Sequence, residues 1–473
     1  MRPGARTPIV QPDKGIELMK LTIALGATWL LAASPAAAAA AAAPACAVPD
    51  YAKQAQDLIR PYLEAQSFSG SILVAKDGAP VWRESFGAAN REWDVANTAD
   101  TKFRLGSITK QFTATAILQL VDQGKLLVDD PISKYYADAP AAWSKVTIKH
   151  LLTHTSGIPS YTGLPGFFEK NSKLPLTPEE IVKLTRDLPL EFEPGAKYNY
   201  DNTGYILLGY VIEKVSGETY ADYVAKHIFT PLGMKDTGYD VSELILRHRA
   251  SGYKPTKNGW KNADYLDMTL PYAAGSLYST TGDLLIWDRA LAEGKILTPA
   301  SRQAMFTDYG HEYGFGWGIK PVAGHDQVSH GGGINGFSTG ISRYPKDGVV
   351  AIVLANYGGS PSNSMAENLA GLCVGTWRPP KAITLPTATL DRYVGAYVLS
   401  PTFTLTITRQ GDQLISQGTN QGPAPIYPSA PGEFFLKIVN AQISFTQTGE
   451  APATALVLHQ GGKDHTAPRA AAK

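Results

Sequence analysis

A serine and a lysine three residues apart, Ser107 and Lys110, have the spacing of an acyl-transfer site. Gly106 interrupts an extended run before them, and the mostly apolar residues 113–121 predict a buried helix that begins here. Residues three apart share one helix face, so the amine can reach the hydroxyl. A lysine shielded from water has a lowered pKa and can act as a base. The first turn of a helix favours the negative charge of a tetrahedral intermediate.

The spacing alone leaves a plain alternative open, namely a serine at a helix start beside a solvated lysine. Ser251 and Lys254 repeat the spacing, but Gly252 and Pro255 argue against a helix there, so we interpret that copy as coincidence. Further motifs are needed to favour chemistry at Ser107.

A second polar stretch contains Tyr200 and Asn202, two residues apart at a turn before an apolar helix predicted at 206–215. Both side chains can project into one cleft. A phenol near Lys110 is expected to have its pKa lowered by that cation and to shuttle protons. The Asn202 amide can donate and accept hydrogen bonds, which suits holding an ester or amide. The alternative is a packed tyrosine beside an asparagine that caps the helix.

A third stretch is the glycine-rich run of His330, Gly331, Gly332 and Gly333. The run and the residues after it also match a dinucleotide-binding pattern and a hydrolase elbow, but both patterns require a following helix, and a strand is predicted instead. We interpret the run as a strand edge, where the lack of side chains lets a substrate pair with the backbone. A backbone N–H near Gly333 is expected to complete an oxyanion hole with that of Ser107.

Composition restricts the classes of partner. The chain has 473 residues, of which 44% are hydrophobic, enough for sizeable cores in about three domains. Its 43 Lys and Arg residues balance 42 Asp and Glu residues without a long block of one sign, so we expect neither nucleic acid nor an anionic membrane surface as a partner. No cluster has the spacing of metal ligands and no phosphate-binding loop occurs, so no metal or cofactor is expected.

The N-terminal region has the pattern of a secretory signal. A lysine follows Met19 and precedes an apolar stretch and a run of small residues. We assign residues 1–45 to a signal peptide and an upstream segment, and expect a periplasmic or secreted protein without a stable membrane span after signal removal. A membrane anchor is the alternative. Export would also permit a disulfide between Cys46 and Cys373, the two cysteines of the chain, a pairing that the sequence leaves open.

Helices and strands must hold the three motifs in place. A helix at 50–66 leads into two strands around an Asp-Gly turn, which suggests an antiparallel sheet covered by helices. Further strands are predicted at 313–319, 327–330, 336–344 and 349–355, and a last helix at 360–377. We place the main domain at 46–377, a linker at 378–386 and a C-terminal all-β barrel or sandwich at 387–473, where six short strands are predicted.

Together the three stretches resemble the serine β-lactamase and penicillin-binding-protein family, in particular its class C-like branch of β-lactamases, esterases, D-aminopeptidases and D-Ala-D-Ala carboxypeptidases. The family's order and spacing are met by Ser107-x-x-Lys110, Tyr200-x-Asn202 and His330-Gly331-Gly332. The resemblance spans roughly residues 50–377. It implies an α/β (α+β) fold, in which an antiparallel sheet is flanked by helices and a helical subdomain closes a cleft. The C-terminal domain is similar to a lipocalin-like module.

The resemblance also implies roles for single residues. Ser107 would be the nucleophile, Lys110 and Tyr200 the proton-transfer pair, and the substrate-binding residues would be Asn202, His330, Gly331, Gly332 and Gly333. In β-lactamases the third motif is usually Lys-Thr-Gly, whose cation holds the substrate carboxylate. His330 takes that place here and is mostly neutral at pH 7 when unperturbed. This departure favours ester or peptide substrates over efficient β-lactam hydrolysis.

We therefore expect an exported, metal-free serine hydrolase that cleaves a small-molecule ester, peptide or β-lactam-like substrate through an acyl-enzyme on Ser107. The alternatives are a true β-lactamase and a non-catalytic cell-wall or peptide-binding sensor. The identity of the substrate, the role of the C-terminal domain and the formation of an oligomer through it are left open by the sequence.

Overall fold

A six-stranded antiparallel sheet forms the centre of the N-terminal part in the computed structural model, which describes residues 45–256, 259–460 and 463–471. Its strands, in spatial order, are β10 (Gly318–Val322), β11 (His325–Ile334), β12 (Phe337–Tyr344), β13 (Val349–Ala355), β1 (Gly70–Lys76) and β2 (Ala79–Phe86). The predicted signal peptide lies outside the described residues, apart from its last residue.

The sequence of β13 explains why this sheet is buried on both faces. Side chains alternate between the two faces of a strand, and β13 is apolar at every position. Val350, Ile352 and Leu354 belong to one hydrophobic core, whereas Val349 and Val353 belong to a second core on the opposite face. Helices must therefore cover both faces.

Two helices cover the second core. They are α1 (Tyr51–Glu64) and α12 (Ser362–Val374), and their buried residues pack on the sheet. A disulfide joins Cys46, just before α1, to Cys373 at the end of α12. The pairing that the sequence left open is therefore present in the structure.

The first core is larger and includes the helical subdomain. Its longest helices are α2 (Thr109–Asp122), α6 (Asn202–Ser216) and α10 (Thr281–Ala292). The shorter ones are α3 (Ile148–Leu152), α4 (Phe167–Asn171), α5 (Pro178–Arg186), α7 (Tyr220–Val224), α8 (Thr230–Leu232), α9 (Tyr272–Gly275) and α11 (Pro299–Met305). Among the described helices, none has the length and apolarity needed to cross a membrane.

Short strands connect these helices. They are β3 (Ala88–Asn90), β4 (Val95–Ala96), β5 (Phe103–Arg104), β6 (Gly238–Tyr239), β7 (Tyr253–Thr256), β8 (Gly259–Asn262) and β9 (Leu277–Ser279). Strand β5 leads directly into the segment that holds Ser107, and it pairs with β9. The predicted fold class, an antiparallel sheet flanked by helices with a helical subdomain, is confirmed.

The C-terminal part contains one short helix, α13 (Thr387–Leu390), and an eight-stranded antiparallel sheet. The strands are β14 (Gly395–Ser400), β15 (Phe403–Gln410), β16 (Gln413–Gly418), β17 (Ala424–Ala430), β18 (Glu433–Leu436), β19 (Ala441–Thr446), β20 (Ala455–Gln460) and β21 (Lys463–Pro468). The Ala470 backbone N–H donates to the Ala396 carbonyl at 2.8 Å, so the sheet nearly closes into a barrel. Six strands were expected from the sequence, and β17 and β21 were missed. The predicted domain boundaries remain a prediction.

Candidate active site

Ser107 lies in a single 3-10 turn, Gly106–Ile108, that runs directly into α2. Gly106 has a φ of 56°, a left-handed conformation that glycine adopts without strain. A Cβ at this position would lie 2.9 Å from the backbone nitrogen of Gly333. The missing side chain therefore lets the start of α2 approach strand β11 closely.

Lys110 is fully buried, and its Nζ lies 2.8 Å from Asn202 Oδ1, 3.0 Å from the Ala274 carbonyl oxygen and 3.3 Å from Ser107 Oγ. Burial lowers the pKa of Lys110 to about 7, and the negative charge of Asp201 opposes this effect only in part. A neutral amine has two N–H bonds and one lone pair. Asn202 and Ala274 accept the two N–H bonds at the shorter distances, which leaves the lone pair for the Ser107 hydroxyl.

The Tyr200 ring lies beside this amine, with Lys110 Nζ 4.8 Å from the ring centroid. Its hydroxyl is buried without a hydrogen-bond partner of acceptable geometry among the described residues. Burial raises the pKa of Tyr200 well above its ordinary value, and the nearby Ser107 side chain lowers it to a smaller extent. The expected lowering of this pKa by Lys110 is therefore wrong, because the loss of solvation dominates. Tyr200 stays a neutral phenol that can donate a proton.

Helix α6 begins at Asn202 because Asp201 caps it, with Asp201 Oδ2 accepting from the Gly204 backbone N–H at 2.9 Å. Both polar atoms of the Asn202 side chain make hydrogen bonds. Its Oδ1 accepts from Lys110, and its Nδ2 donates to Thr162 Oγ1 at 3.0 Å. An amide nitrogen carries two hydrogens, so the second one remains for a substrate carbonyl.

The glycines of β11 lie where the strand has an open edge. Among the described strands, β10 pairs with β11 only as far as Ser329, so residues 330–334 pair with β12 alone. A Cβ on Gly332 would lie 2.0 Å from the Leu105 carbonyl oxygen, whereas one on Gly333 would meet no atom within 4 Å. Gly332 thus permits the close approach to the start of α2, and the Gly333 backbone borders open space, as the predicted oxyanion hole requires.

His330 is neutral and fully engaged with protein groups. Its Nδ1 lies 2.6 Å from the Gly331 carbonyl oxygen and its Nε2 lies 2.9 Å from the Tyr313 hydroxyl. A carbonyl oxygen only accepts, so Nδ1 carries the proton and Nε2 accepts from Tyr313. Burial and then the charge of Lys110 lower the pKa of His330 to about 4. This side chain supplies no cation for a substrate carboxylate.

A cavity of about 510 Å³ opens beside Ser107. Much of its wall is apolar and includes Tyr161, Phe167, Phe168, Leu266, Leu270, Ile334 and Phe337. Of the predicted substrate-binding residues, Asn202 and Gly333 belong to the lining. His330, Gly331 and Gly332 precede Gly333 on β11 and are not among the described lining residues. The structure thus places the predicted nucleophile and amide in the cavity wall, with the predicted amine 3.3 Å from the nucleophile and the phenol ring beside that amine, and their chemical roles remain predictions.

Two groups that the motifs did not single out also shape the site. Asp201 is buried, and burial raises the pKa of its carboxyl to about 7, while backbone hydrogen bonds and Lys110 lower it less. The Ala274 carbonyl is the second group, since it accepts from Lys110. The position of Asp201 in the turn before a predicted helix was a signal for a capping carboxylate. A main-chain carbonyl such as that of Ala274 leaves no signal in the sequence.

A second serine, histidine and aspartate lie in line on the C-terminal sheet. Ser444 Oγ lies 2.8 Å from His459 Nε2, and His459 Nδ1 lies 2.7 Å from Asp464 Oδ1. However, the Ser444 hydroxyl donates to Glu433 Oε2 at 2.6 Å, so it accepts from His459 Nε2. A serine whose proton is directed at a carboxylate does not present it to the histidine, as a catalytic triad requires. We interpret these residues as a polar ladder across four strands.

Comparisons with known proteins show what the chain is similar to. The β-lactamase family model matches residues 55–375, and a domain of unknown function, DUF3471, matches residues 379–467. Penicillin-binding protein 4* of Bacillus subtilis is 31% identical over 449 residues, which cover 88% of this chain and 98% of that protein.

Solved structures are similar over much of the chain. An octameric penicillin-binding protein homologue from Pyrococcus abyssi has a TM-score of 0.65 and 28% identity, with 89% of this chain and 100% of that chain covered. A D-stereospecific amidohydrolase from Streptomyces sp. has a TM-score of 0.59 and 29% identity, with 68% of this chain and 98% of that chain covered. The chain therefore belongs to the β-lactamase family, together with the penicillin-binding-protein homologues.

Proposed function

We propose that this protein is a serine hydrolase that cleaves an ester or amide bond through an acyl-enzyme on Ser107. The observation that carries the proposal is the environment of Lys110. This buried amine has a pKa of about 7, and its N–H bonds are accepted by Asn202 and Ala274, so its lone pair is available to Ser107. A base with a pKa near the working pH is suited to activating a hydroxyl.

In the acylation step the Ser107 proton moves to Lys110 Nζ while Ser107 Oγ forms a bond to the substrate carbonyl carbon. The negative charge on the carbonyl oxygen is stabilised by the backbone N–H groups of Ser107 and Gly333. The bond to the leaving group then breaks, and the leaving group takes a proton from Tyr200, which is replenished by the Lys110 ammonium. In deacylation, water follows the same path in reverse and releases the acid.

The site favours esters and amides over β-lactams that need a cation for their carboxylate. His330 occupies the position of the usual lysine, and both of its nitrogens are already hydrogen-bonded. The similarity to a D-stereospecific amidohydrolase supports amides of D-amino acids as one substrate class. A true β-lactamase and a non-catalytic sensor remain the competing functions. The complete set of nucleophile, base and proton donor argues against the sensor.

We also propose that the protein is exported to the periplasm or secreted. The disulfide between Cys46 and Cys373 supports this location, because disulfides persist in oxidising compartments. The similarity to an octameric homologue supports a further proposal, that this chain assembles into an oligomer.

The function is tested with purified protein and a panel of p-nitrophenyl esters, D-amino-acid amides, D-alanyl peptides and nitrocefin. We expect Ser107-dependent turnover of esters or amides, and a stoichiometric adduct with a fluorophosphonate probe. Ser107→Ala should abolish both. Full turnover by Ser107→Ala would refute the proposal, and labelling of the wild type without turnover of any substrate would favour the sensor.

A further inference from the structure

The residues that line the cavity indicate which part of the substrate it holds. The proton donor Tyr200 and the neighbouring His330, whose ring centroids are 6.3 Å apart, are not among the described lining residues. The lining instead follows β11 from Gly333 through the turn to Ser338. The leaving group must lie near its proton donor, so the cavity receives the acyl part of the substrate.

Among the described lining residues of this cavity, Lys254 and Asp264 are the two that carry a charge. Lys254 Nζ forms an ion pair with Asp264 Oδ2. The Asp264 side chain is 70% exposed, whereas that of Lys254 is only 32% exposed. Asp264 can therefore move into water at small cost, while Lys254 remains against the cavity.

The backbone holds both residues close to the reactive strand. Next to Lys254, the backbone N–H of Tyr253 donates to the carbonyls of Asn356 and Gly336, at 3.1 Å and 3.3 Å. The Asp264 carbonyl accepts from Asn335 Nδ2 at 3.0 Å. Gly336 and Asn335 form the turn that follows β11. The charged pair is thus anchored at the turn that directly follows the β11 residues beside Ser107.

The surroundings of this pair are positive. Lys254, Lys261 and Lys173 all lower the pKa of Asp264, so three ammonium groups lie near one carboxylate. Glu92 also reaches the hairpin, where its carboxylate accepts from Asn262 Nδ2. Three cations against two carboxylates favour an anionic ligand over a cationic one.

We propose that Lys254 determines substrate specificity by binding a carboxylate at the far end of the acyl chain, where it displaces Asp264. The proposal rests on the proposed acyl-enzyme function. The preferred acyl group is apolar next to the scissile carbonyl, where the aromatic wall contacts it, and ends in a carboxylate. Lys254 thereby supplies a cation for the acyl part of the substrate, whereas His330 supplies none for the leaving-group part.

The test compares p-nitrophenyl half-esters of adipic, pimelic and suberic acid with the same molecules capped as methyl esters. The enzyme-free rate is subtracted for each. We expect the wild type to prefer the free carboxylate by about tenfold in kcat/KM at one chain length, as expected for a charged hydrogen bond. Lys254→Met should remove this preference, because kcat/KM should fall about tenfold more for the free carboxylates than for the capped esters. Lys261→Met, on the same hairpin but outside the lining, should keep it.

Several outcomes would overturn the proposal. Equal turnover of charged and capped esters by the wild type, or a preference that survives in Lys254→Met, would reject it. A preference for an ammonium-ended aminohexanoyl ester that is lost in Asp264→Asn would reject it in favour of Asp264 as the binding group. In these cases Ser107-dependent turnover would leave the proposed function intact. The absence of Ser107-dependent turnover of every ester, amide and peptide tested would reject both.

Discussion

Replacement of Lys110 by methionine tests the central feature of the site, a buried amine with a lowered pKa. Methionine is similar in length and carries no charge. In the folded protein the pKa of Lys110 is about 7, compared with 10.5 for an ordinary lysine. At 1.36 kcal/mol for each unit of pKa, this difference destabilises the fold by about 4 kcal/mol at pH 7, where half of the amine is still protonated.

The substitution also has costs. The acceptors Asn202 Oδ1 and Ala274 O lose their partner, and Asp201 loses a positive neighbour, which together cost roughly 3 kcal/mol. Lys110→Met is therefore expected to be slightly more stable than the wild type at pH 7. Turnover should fall about a thousandfold, because the general base is lost.

The pH dependence of this stability difference gives the sharper measurement. Between pH 7 and pH 10.5 the unfolded chain keeps the lysine proton and the folded chain releases it, so the unfolded state binds more protons and wild-type stability rises with pH. The destabilisation that the lowered pKa of Lys110 causes falls from about 4 kcal/mol at pH 7 to about 1 kcal/mol at pH 10. Asp201, whose pKa Lys110 lowers, titrates at higher pH in the variant and changes the difference in the same direction, whereas groups far from Lys110 cancel.

The assay is calorimetric Tm of both proteins at pH 7 and pH 10, with Lys125→Met as a control for an exposed lysine just after α2. For a chain of this size, roughly 1 °C corresponds to 1 kcal/mol. From pH 7 to pH 10, the difference in Tm between the wild type and Lys110→Met should therefore change by about 3 °C in favour of the wild type. The difference in Tm between the wild type and Lys125→Met should not change. A difference that stays constant with pH, or full activity of Lys110→Met, would refute the reasoning.

Three further outcomes are expected. Asp201→Asn keeps the helix cap but removes the charge that raises the pKa of Lys110. The acid limb of the pH profile of kcat/KM should therefore move to lower pH by roughly one unit. An unchanged acid limb would show that Asp201 does not affect the pKa of Lys110. Gly332→Ala places a methyl group against the Leu105 carbonyl oxygen, so we expect a loss of several kcal/mol in chemical denaturation, or no folded protein. Ser444→Ala should retain full esterase activity, and a loss of turnover with normal stability would contradict our interpretation of the ladder on the C-terminal sheet.

The strands that the sequence missed show where local patterns fail. Strand β17 contains Pro425 and Pro428, residues that normally argue against a strand. It pairs with β16 over residues 424–426 only, so few backbone donors are needed there. Strand β21 is mostly polar and exposed, which hides the alternation that predicts a strand.

The predicted strand at 313–319 was also only partly correct. Strand β10 begins at Gly318, and the preceding residues form a loop around Gly316, whose φ is 76°. A Cβ on Gly316 would lie 2.7 Å from the Lys110 carbonyl oxygen, so the loop packs against the start of α2. The same loop places the Tyr313 hydroxyl within hydrogen-bond distance of His330 Nε2. Such a contact between distant segments cannot be predicted from a local pattern.

The sequence by itself determined the family, the fold class and the groups that meet around Ser107. Each motif follows from residue type at short spacing, namely a serine and a lysine on one helix turn, a phenol and an amide before a helix, and glycines on a strand. Tertiary structure decided their protonation states. Burial is a property of the whole fold, and it lowers the pKa of Lys110 and raises that of Tyr200. A cation beside a phenol can be inferred from spacing, but the depth at which both are buried depends on every element packed around them.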